Sequence, residues 1–294
     1  MTKWLVAVNG KAGRLTTDPT LIADVVRTAG LDAEIVAPSS PSEMADALVA
    51  GAGRGFEHFA VAGGDGTVNL AVNALLPLDL GFSPVIGVLP VGTGCDLLRT
   101  FGLPQDLAGA AQHLATDSVY PIDVGALEGE WGLRYFVNVA QAGVGAAAAQ
   151  TAVKIARWLG PVRYPMAFGG RLPRFPRAQI TLTTEKKVVE SEALAVIFAN
   201  AQFFAGGWNV APKATLVDGV LDIQIFDVKK GQAAALVPKV IKGTHLREPG
   251  VRRLSVSEFS LVTEPSWPVE ADGDLIGNTT VNGRVIPAAV RLKI

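Results

Sequence analysis

The chain has 294 residues and a formal net charge of -1, with 49% hydrophobic and 18% charged residues. That length allows one large domain or two ordinary ones, the composition excludes general disorder, and the near-zero charge excludes nucleic acid as a bulk electrostatic partner. The single cysteine, Cys95, excludes an internal disulfide and cysteine-based zinc sites, and points to a reducing compartment.

Residues 5–8 form a short apolar run with the look of a parallel strand, too short for a signal-peptide core. The loop after it begins at Asn9. Thr17 or Asp18 can cap a helix to about residue 29, in which Leu21, Ile22, Val25 and Val26 keep a 3.6 period. Residues 33–36 predict a second strand, and residues 39–42 supply caps for a helix carrying Met44, Ala45, Leu48 and Val49. A third strand over 59–62 runs into Gly63-Gly64-Asp65-Gly66-Thr67, and a helical pattern follows to about Leu76. A fourth strand over 85–89 leads to a second glycine turn, Gly92-Thr93-Gly94-Cys95-Asp96, then a brief helix over 97–100 and another over 107–114. This alternation predicts a doubly wound α/β domain whose two glycine turns share one edge of the sheet.

Glycines at a strand-to-helix turn let backbone N–H groups approach a phosphate chain, and the helix N-terminus adds its positive dipole end. In that setting Asp65 is suited to holding a metal ion or orienting a polar substrate group. The plainer alternative is a tight turn in which Asp65 acts as a helix cap.

From residue 119 the texture changes to strand-like pieces over 135–140, 179–184, 193–199, 221–228, 254–262 and 288–294. Asp218-Gly219, Asp272-Gly273 and Asn282-Gly283 read as turns between them. The expected organisation is an α/β domain over 1–124 and a predominantly β domain over 125–294, the last strand being a candidate to return to the first domain. Gly143-Val144-Gly145 resembles part of a dinucleotide fingerprint, but its place in the β half argues against that use. The longest uncharged stretch, 193–212, contains Asn200, Gln202 and Asn209, so it reads as a buried strand and not a bilayer span. A cytoplasmic protein with at most peripheral membrane contact is expected.

Between Trp131 and Thr184 there is no Asp or Glu, while Arg134, Lys154, Arg157, Arg163, Arg171, Arg174 and Arg177 fall in that span. Trp158, Tyr164, Phe168 and Phe175 are interleaved with the later arginines. The 154–177 mixture suits anionic lipid head groups; the alternative is a solvated basic face with the aromatics in the core.

Taken together, the 63–67 turn, the segment from Leu89 to Asp96, Ile122-Asp123-Val124-Gly125, the turn around Asp218-Gly219 and Asp272-Gly273-Asp274 resemble the diacylglycerol kinase catalytic-domain family. Its soluble bacterial lipid kinases and sphingosine kinases are the nearest in pattern. The resemblance runs in order along essentially the whole chain. It implies an α/β nucleotide-binding domain followed by a β-sandwich, with the active site in the cleft between them. It also implies transfer of the ATP γ-phosphoryl group to a lipid alcohol with Mg2+, and it is compatible with a homodimer.

Residue by residue, the resemblance assigns ATP contacts to Asn9, Gly63, Gly64, Asp65, Gly66, Thr67, Gly92 and Thr93. Ser39 or Ser40 stands in for a family threonine that is absent. Asp218, with the carbonyls of Thr215 and Val220, matches a structural magnesium site whose hard oxygen donors suit that ion. Asp96, Asp123 and Asp272 match supporting positions. Asp274 falls where the family usually has a glutamate, the proposed general base, and together with Asp65 it is the expected catalytic pair. Three matched positions depart from the family: Gly10 for proline, Cys95 for asparagine, and Asp274, one methylene short. Those departures keep a non-catalytic nucleotide- or lipid-binding module in play. An NAD kinase-like enzyme also uses a Gly-Gly-Asp-Gly turn, but the Asn-Glu or Asn-Asp pair such enzymes carry does not occur in this chain.

Overall fold

Strands alternating with helices build the first part of the molecule. The structure, a computed structural model, describes residues 2–10, 17–91, 95–156, 159 and 162–293. The chain divides into two units, Met1–Asp123 with Pro287–Ile294, and Val124–Ile286.

The first unit runs β1 (Lys3–Val8), α1 (Pro19–Thr28), β2 (Asp32–Val36), α2 (Pro41–Gly53), β3 (His58–Gly63), α3 (Asp65–Leu75), β4 (Val85–Pro90), α4 (Asp96–Thr100) and α5 (Leu107–Leu114). Asp18 starts α1 by accepting from Thr20 N at 2.9 Å, with Pro19 in the first turn where its missing N–H costs nothing. The strands are parallel in the order β2-β1-β3-β4. The pleat sends successive β1 side chains to opposite faces. Trp4, Val6 and Val8 pack with Ile22 and Val26 of α1 and with Leu114 of α5, while Leu5 lies against Gly51 of α2. Because β2 and β3 flank β1 on opposite sides, the sheet order reverses at β1 and β3, and the crevice at their carboxyl ends is where such sheets hold ligands.

The second unit follows through β5 (Val119–Gly129), β6 (Gly132–Phe136), β7 (Val139–Gly143), α6 (Val144–Ala152), α7 (Arg163–Arg171), β8 (Ala178–Thr184), β9 (Val188–Ala193) and β10 (Ala195–Ala199). Then come β11 (Phe203–Phe204), β12 (Trp208–Asn209), β13 (Leu221–Phe226), α8 (Lys230–Ile241), β14 (Val251–Val256), β15 (Glu258–Glu264), β16 (Pro268–Ala271), β17 (Asp274–Asn278) and β18 (Val281–Lys293). One sheet has the order β14-β13-β10-β7-β16-β17. The other brings β15 between β8 and the first half of β18, with β9 outside β8. Inward residues of both sheets, among them Phe136, Leu182, Phe198, Phe259, Leu261 and Trp267, make the sandwich core. The chain enters this unit within β5 and leaves it within β18, whose end pairs in parallel with β4.

Several details differ from the pattern read along the sequence. Residues 254–262 belong to two strands, β14 and β15, which break at Ser257 and join different sheets. Asn282-Gly283 is no turn but lies inside β18, where a Cβ on Gly283 would collide with the Phe259 ring. Among the described residues the second half also holds three α-helices, and Gly143-Val144-Gly145 starts the first of them. Among the described residues no helix is long and apolar enough to cross a membrane.

Candidate active site

At the carboxyl end of β1, Asn9 N donates to Ala62 O at 3.0 Å and Asn9 Nδ2 donates to Thr67 Oγ1 at 3.1 Å. This bond ties the first loop to the glycine turn after β3. The turn needs its first glycine for space: a Cβ on Gly63 would overlap the Thr67 side chain. Gly63→Ala is therefore expected to displace Thr67, break the Asn9 contact and lower stability by about 1–3 kcal/mol, read in thermal unfolding. Gly64 is the N-cap of α3 and supplies no side-chain cap, and Gly66 is exposed in the first turn. Thr67 N turns back to Gly64 O at 2.9 Å. An uncapped N-terminus at the sheet's switch point is suited to receive phosphate oxygens.

Asp65 does not cap its own helix. Its carboxylate reaches α4, accepting from Asp96 N at 2.9 Å, Leu97 N at 3.1 Å and Cys95 Sγ at 3.1 Å. It thus latches the first glycine turn to the helix that follows the second. A negative charge beside a polyphosphate would repel it, and the dipole of α4 and these three donors compensate that charge. Cys95 is fully buried, and burial, then the Asp65 charge, push its thiol pKa well up, so it stays a protonated donor. The thiol thus gives Asp65 a weak donor where the resemblance expects an amide. Sequence reasoning missed Gln105, whose Oε1 accepts from Cys95 N at 2.9 Å; nothing local in the sequence marks it.

Other expected site residues fall in different surroundings. Gly92 and Thr93 lie outside the described residues, as do Arg157 and Trp158. Ser39 and Ser40 belong to a capping arrangement on α2: Ser40 Oγ accepts from Glu43 N at 3.2 Å, and Ser39 Oγ donates to Glu43 Oε2 at 2.8 Å. Asp96 is buried and paired with Arg99. Asp123 accepts from Ala288 N at 2.9 Å, which fixes the chain where β18 enters the first unit. Asp218 is exposed on a turn and accepts from Val220 N at 3.3 Å, with Thr215 three residues earlier. A carboxylate and main-chain carbonyls on such a turn are a donor set chemically suited to Mg2+. Among the described residues no group of three or more His, Cys, Asp or Glu gathers as a metal site.

Asp272 and Gly273 are the two loop residues of the β16–β17 hairpin, closed by Ala271 opposite Asp274. Both have positive φ, 47° and 94°, as a primed two-residue turn requires. The Asp272 carboxylate also accepts from Val137 N at 2.7 Å, Asn138 N at 2.9 Å and Val139 N at 3.0 Å. It therefore anchors the hairpin to the β6–β7 connection and holds Asp274 at the start of β17. Asp274 is exposed; partial desolvation by the surrounding chain raises its pKa, and the Arg134 charge opposes the rise.

In the same unit a cavity of about 80 Å3 lies between the helices and the face of the β14-β13-β10-β7-β16-β17 sheet that looks away from the sandwich core. Its wall is almost wholly apolar, with Ile197, Phe204, Trp208 and Phe226 on one side and Phe168 of α7 and Leu236 of α8 on the other. Tyr164, Phe168 and Phe175 pack inward here, so these aromatics of the basic stretch belong to the core and not to an outer face. Arg163 and Arg177 are likewise engaged within the fold, the first on Ala152 O and the second on Glu192 and Asp227. Exposed on the outside remain Val153, Val162 and Met166 with Lys154, Arg171 and Arg174.

Comparison with known proteins places the chain in a family. The model of the diacylglycerol kinase catalytic domain matches residues 3–127, and that of the YegS C-terminal NAD kinase beta sandwich-like domain matches residues 138–294. The chain belongs to the diacylglycerol kinase catalytic-domain family. It is 27% identical to a diacylglycerol kinase of Bacillus subtilis (strain 168) over 85% of this chain and 81% of that protein. To a diacylglycerol kinase of Mycobacterium tuberculosis it is 28% identical over 90% and 85%. A crystal structure of a diacylglycerol kinase from Bacillus anthracis str. Sterne superposes with a TM-score of 0.75 at 22% identity, covering 99% of this chain and 96% of that one, a likeness of fold. The fold of this chain is an α/β domain followed by a β-sandwich-like domain.

Proposed function

We propose that this member of the family transfers the γ-phosphoryl group of ATP, in the presence of Mg2+, to the hydroxyl of a lipid alcohol such as a diacylglycerol or a sphingoid base. The observation that carries this reading is the latch of Asp65 across two glycine-rich turns, beside an uncapped helix N-terminus at the sheet's switch point. Phosphoryl transfer is chiefly a matter of positioning and charge compensation. Asn9 and Thr67 would shape the phosphate cradle, and Asp65 would keep its two turns in register. Asp274 would take the proton of the attacking hydroxyl. Mg2+ bound with ATP would offset phosphate charge, and a second, structural ion would be held by Asp218 with the main-chain oxygens of Thr215 and Val220.

The lipid half of the proposal is supported by the apolar cavity in the second unit. Its volume admits several methyl-sized groups of such a lipid. The exposed Val153, Val162 and Met166, with the exposed Lys154, Arg171 and Arg174 in the same stretch of chain, suit peripheral contact with an anionic bilayer. A second reading, a binding module without turnover, is favoured by the departures at Gly10 and Cys95 and above all by the short side chain of Asp274.

Incubation with labelled ATP, Mg2+ and lipids presented in anionic vesicles tests the proposal. Labelled phospholipid is expected with at least one neutral or sphingoid alcohol. ATP binding without label in any lipid would leave the binding-module reading.

A further inference from the structure

The bend from β6 into β7, residues 137–139, is buried, so each of its main-chain polar groups needs a partner inside the protein. Two positions supply them from opposite sides. On one side the Asp272 carboxylate takes the three N–H groups, and Asp272 N donates in return to Val139 O at 3.0 Å. On the other side stands Asn200. Its Nδ2 donates to Val137 O at 2.8 Å, while Asn200 N and Ala201 N both donate to Asn138 O at 2.9 Å. Asn200 is fully buried, so whatever it does for a reaction it does through its neighbours.

The sheet explains why these residues meet. Strand β7 lies between β10 and β16, with Val139 opposite Ala199 and Ala140 opposite Ala271. Asn200 and Asp272 each stand one residue beyond the end of those flanking strands, so the start of β7 is gripped between them. Farther along, Glu270 faces Gln141 and Val269 faces Ala142, which keeps β16 in step with β7. Asp272 opens the two-residue turn, and Asp274 follows it as the first residue of β17. A connected path results: Asn200 holds the bend, the bend holds Asp272, and Asp272 sets where Asp274 begins its strand. The turn's own dihedral angles come from Asp272 and Gly273 and need nothing from Asn200. What Asn200 adds is the place of the hairpin and not its shape.

We propose that Asn200 is a positioning residue for phosphoryl transfer, acting on Asp274 through the 137–139 bend and Asp272. The inference rests on the reading of this chain as a kinase in which Asp274 takes the hydroxyl proton.

Asn200→Asp keeps the shape but sets an oxygen against Val137 O, and Asn200→Ala removes the donor; both strand that buried carbonyl. Each is expected to lower kcat for lipid phosphorylation about tenfold while KM for ATP stays within about twofold, because a base displaced by less than about 1 Å loses rate and not nucleotide binding. A loosened hairpin also admits water to Asp274. Desolvation outweighs the Arg134 charge in raising the Asp274 pKa, so in Asn200→Ala the acidic limb of kcat is expected to move to lower pH. Leu182 of β8, in the sandwich core, provides the control. Leu182→Val or Leu182→Ala, whichever matches the lost thermal stability, is expected to leave kcat and the limb unchanged.

Asn200 variants that lose no more activity than the stability-matched Leu182 variant overturn the proposal. Hydrogen exchange in the unmodified protein tests it without any variant that has to fold. The amides of residues 137–139, Asn200, Ala201 and Asp272 are expected to open together, with one dependence on denaturant. Opening of Asp272 independently of Asn200 and Ala201 overturns the proposal as well. The Asp274 pKa, read from its carboxyl carbon by NMR, requires no turnover and separates the two readings. Lipid phosphorylation with an unmoved Asp274 pKa in Asn200→Ala would sink the positioning role and leave the kinase reading. A pKa lowered in Asn200→Ala and not in the Leu182 variant, with no lipid phosphorylated by the unmodified protein, would do the reverse.

Discussion

Asp272→Ala is expected to destabilise the second unit by about 4 kcal/mol, because it strands three buried amides at once. Val137, Asn138 and Val139 are each almost fully buried, and all three donate to this one carboxylate. A buried N–H left without a partner costs about 1–3 kcal/mol, and water reaching the half-open turn recovers part of that total. Alanine also has to hold a positive φ that aspartate and asparagine tolerate better. Asp272→Asn separates the two contributions. It keeps the turn preference and one acceptor oxygen, so about half the loss is expected. Denaturant unfolding measures both variants, and hydrogen exchange at residues 137–139 locates the effect. An alanine variant as stable as the parent, with those amides still protected, would show that the carboxylate is not the anchor.

The same residue illustrates what could be read from the sequence. Asp-Gly between two strands announces a hairpin, because the turn's dihedral angles are a local matter. That its carboxylate would satisfy amides some 135 residues earlier is set by the pairing of β16 with β7, which no local pattern encodes. Asp65 repeats the lesson. Its place in a phosphate-binding turn follows from neighbouring glycines, but its latch onto α4 depends on where the chain returns about thirty residues later. Gly283 misled in the opposite direction. Beside asparagine it resembles a turn, and it is inside β18 to make room for Phe259. Space for a distant ring and flexibility for a turn leave the same letter in the sequence.

The cavity was not legible at all. Tyr164 and Phe168 sit four residues apart among arginines, a pattern equally fit for a membrane face or a core, and packing against Phe204 and Trp208 decides for the core. Glu270 did leave a trace, since a glutamate between Val269 and Ala271 in a buried strand demands a partner. Only the cross-strand register supplies Gln141.

Asp274→Asn is expected to lower kcat for lipid phosphorylation about a hundredfold or more while leaving ATP binding within about twofold, the signature of a lost general base. The hairpin itself should survive, since Asp272 and Gly273 make the turn and its anchor. The pH profile gives a second and independent reading. Desolvation raises the Asp274 pKa and Arg134 holds it down, and a base works only when deprotonated. Activity is therefore lost as pH falls through the raised value, and the acidic limb lies above the ordinary aspartate range. Arg134→Ala removes the opposing charge, so that limb is expected to move to higher pH, where a purely structural arginine would leave it in place. Asp274→Glu tests reach. Its extra methylene restores the family's usual side chain, and a displacement of that order changes rates by up to about a hundredfold. A faster glutamate variant would mean that the aspartate holds a working base too far from its hydroxyl. A slower one would mean that the backbone has already moved to fit the shorter acid. An asparagine variant with full turnover would remove Asp274 from the reaction, and the proton would then need another acceptor.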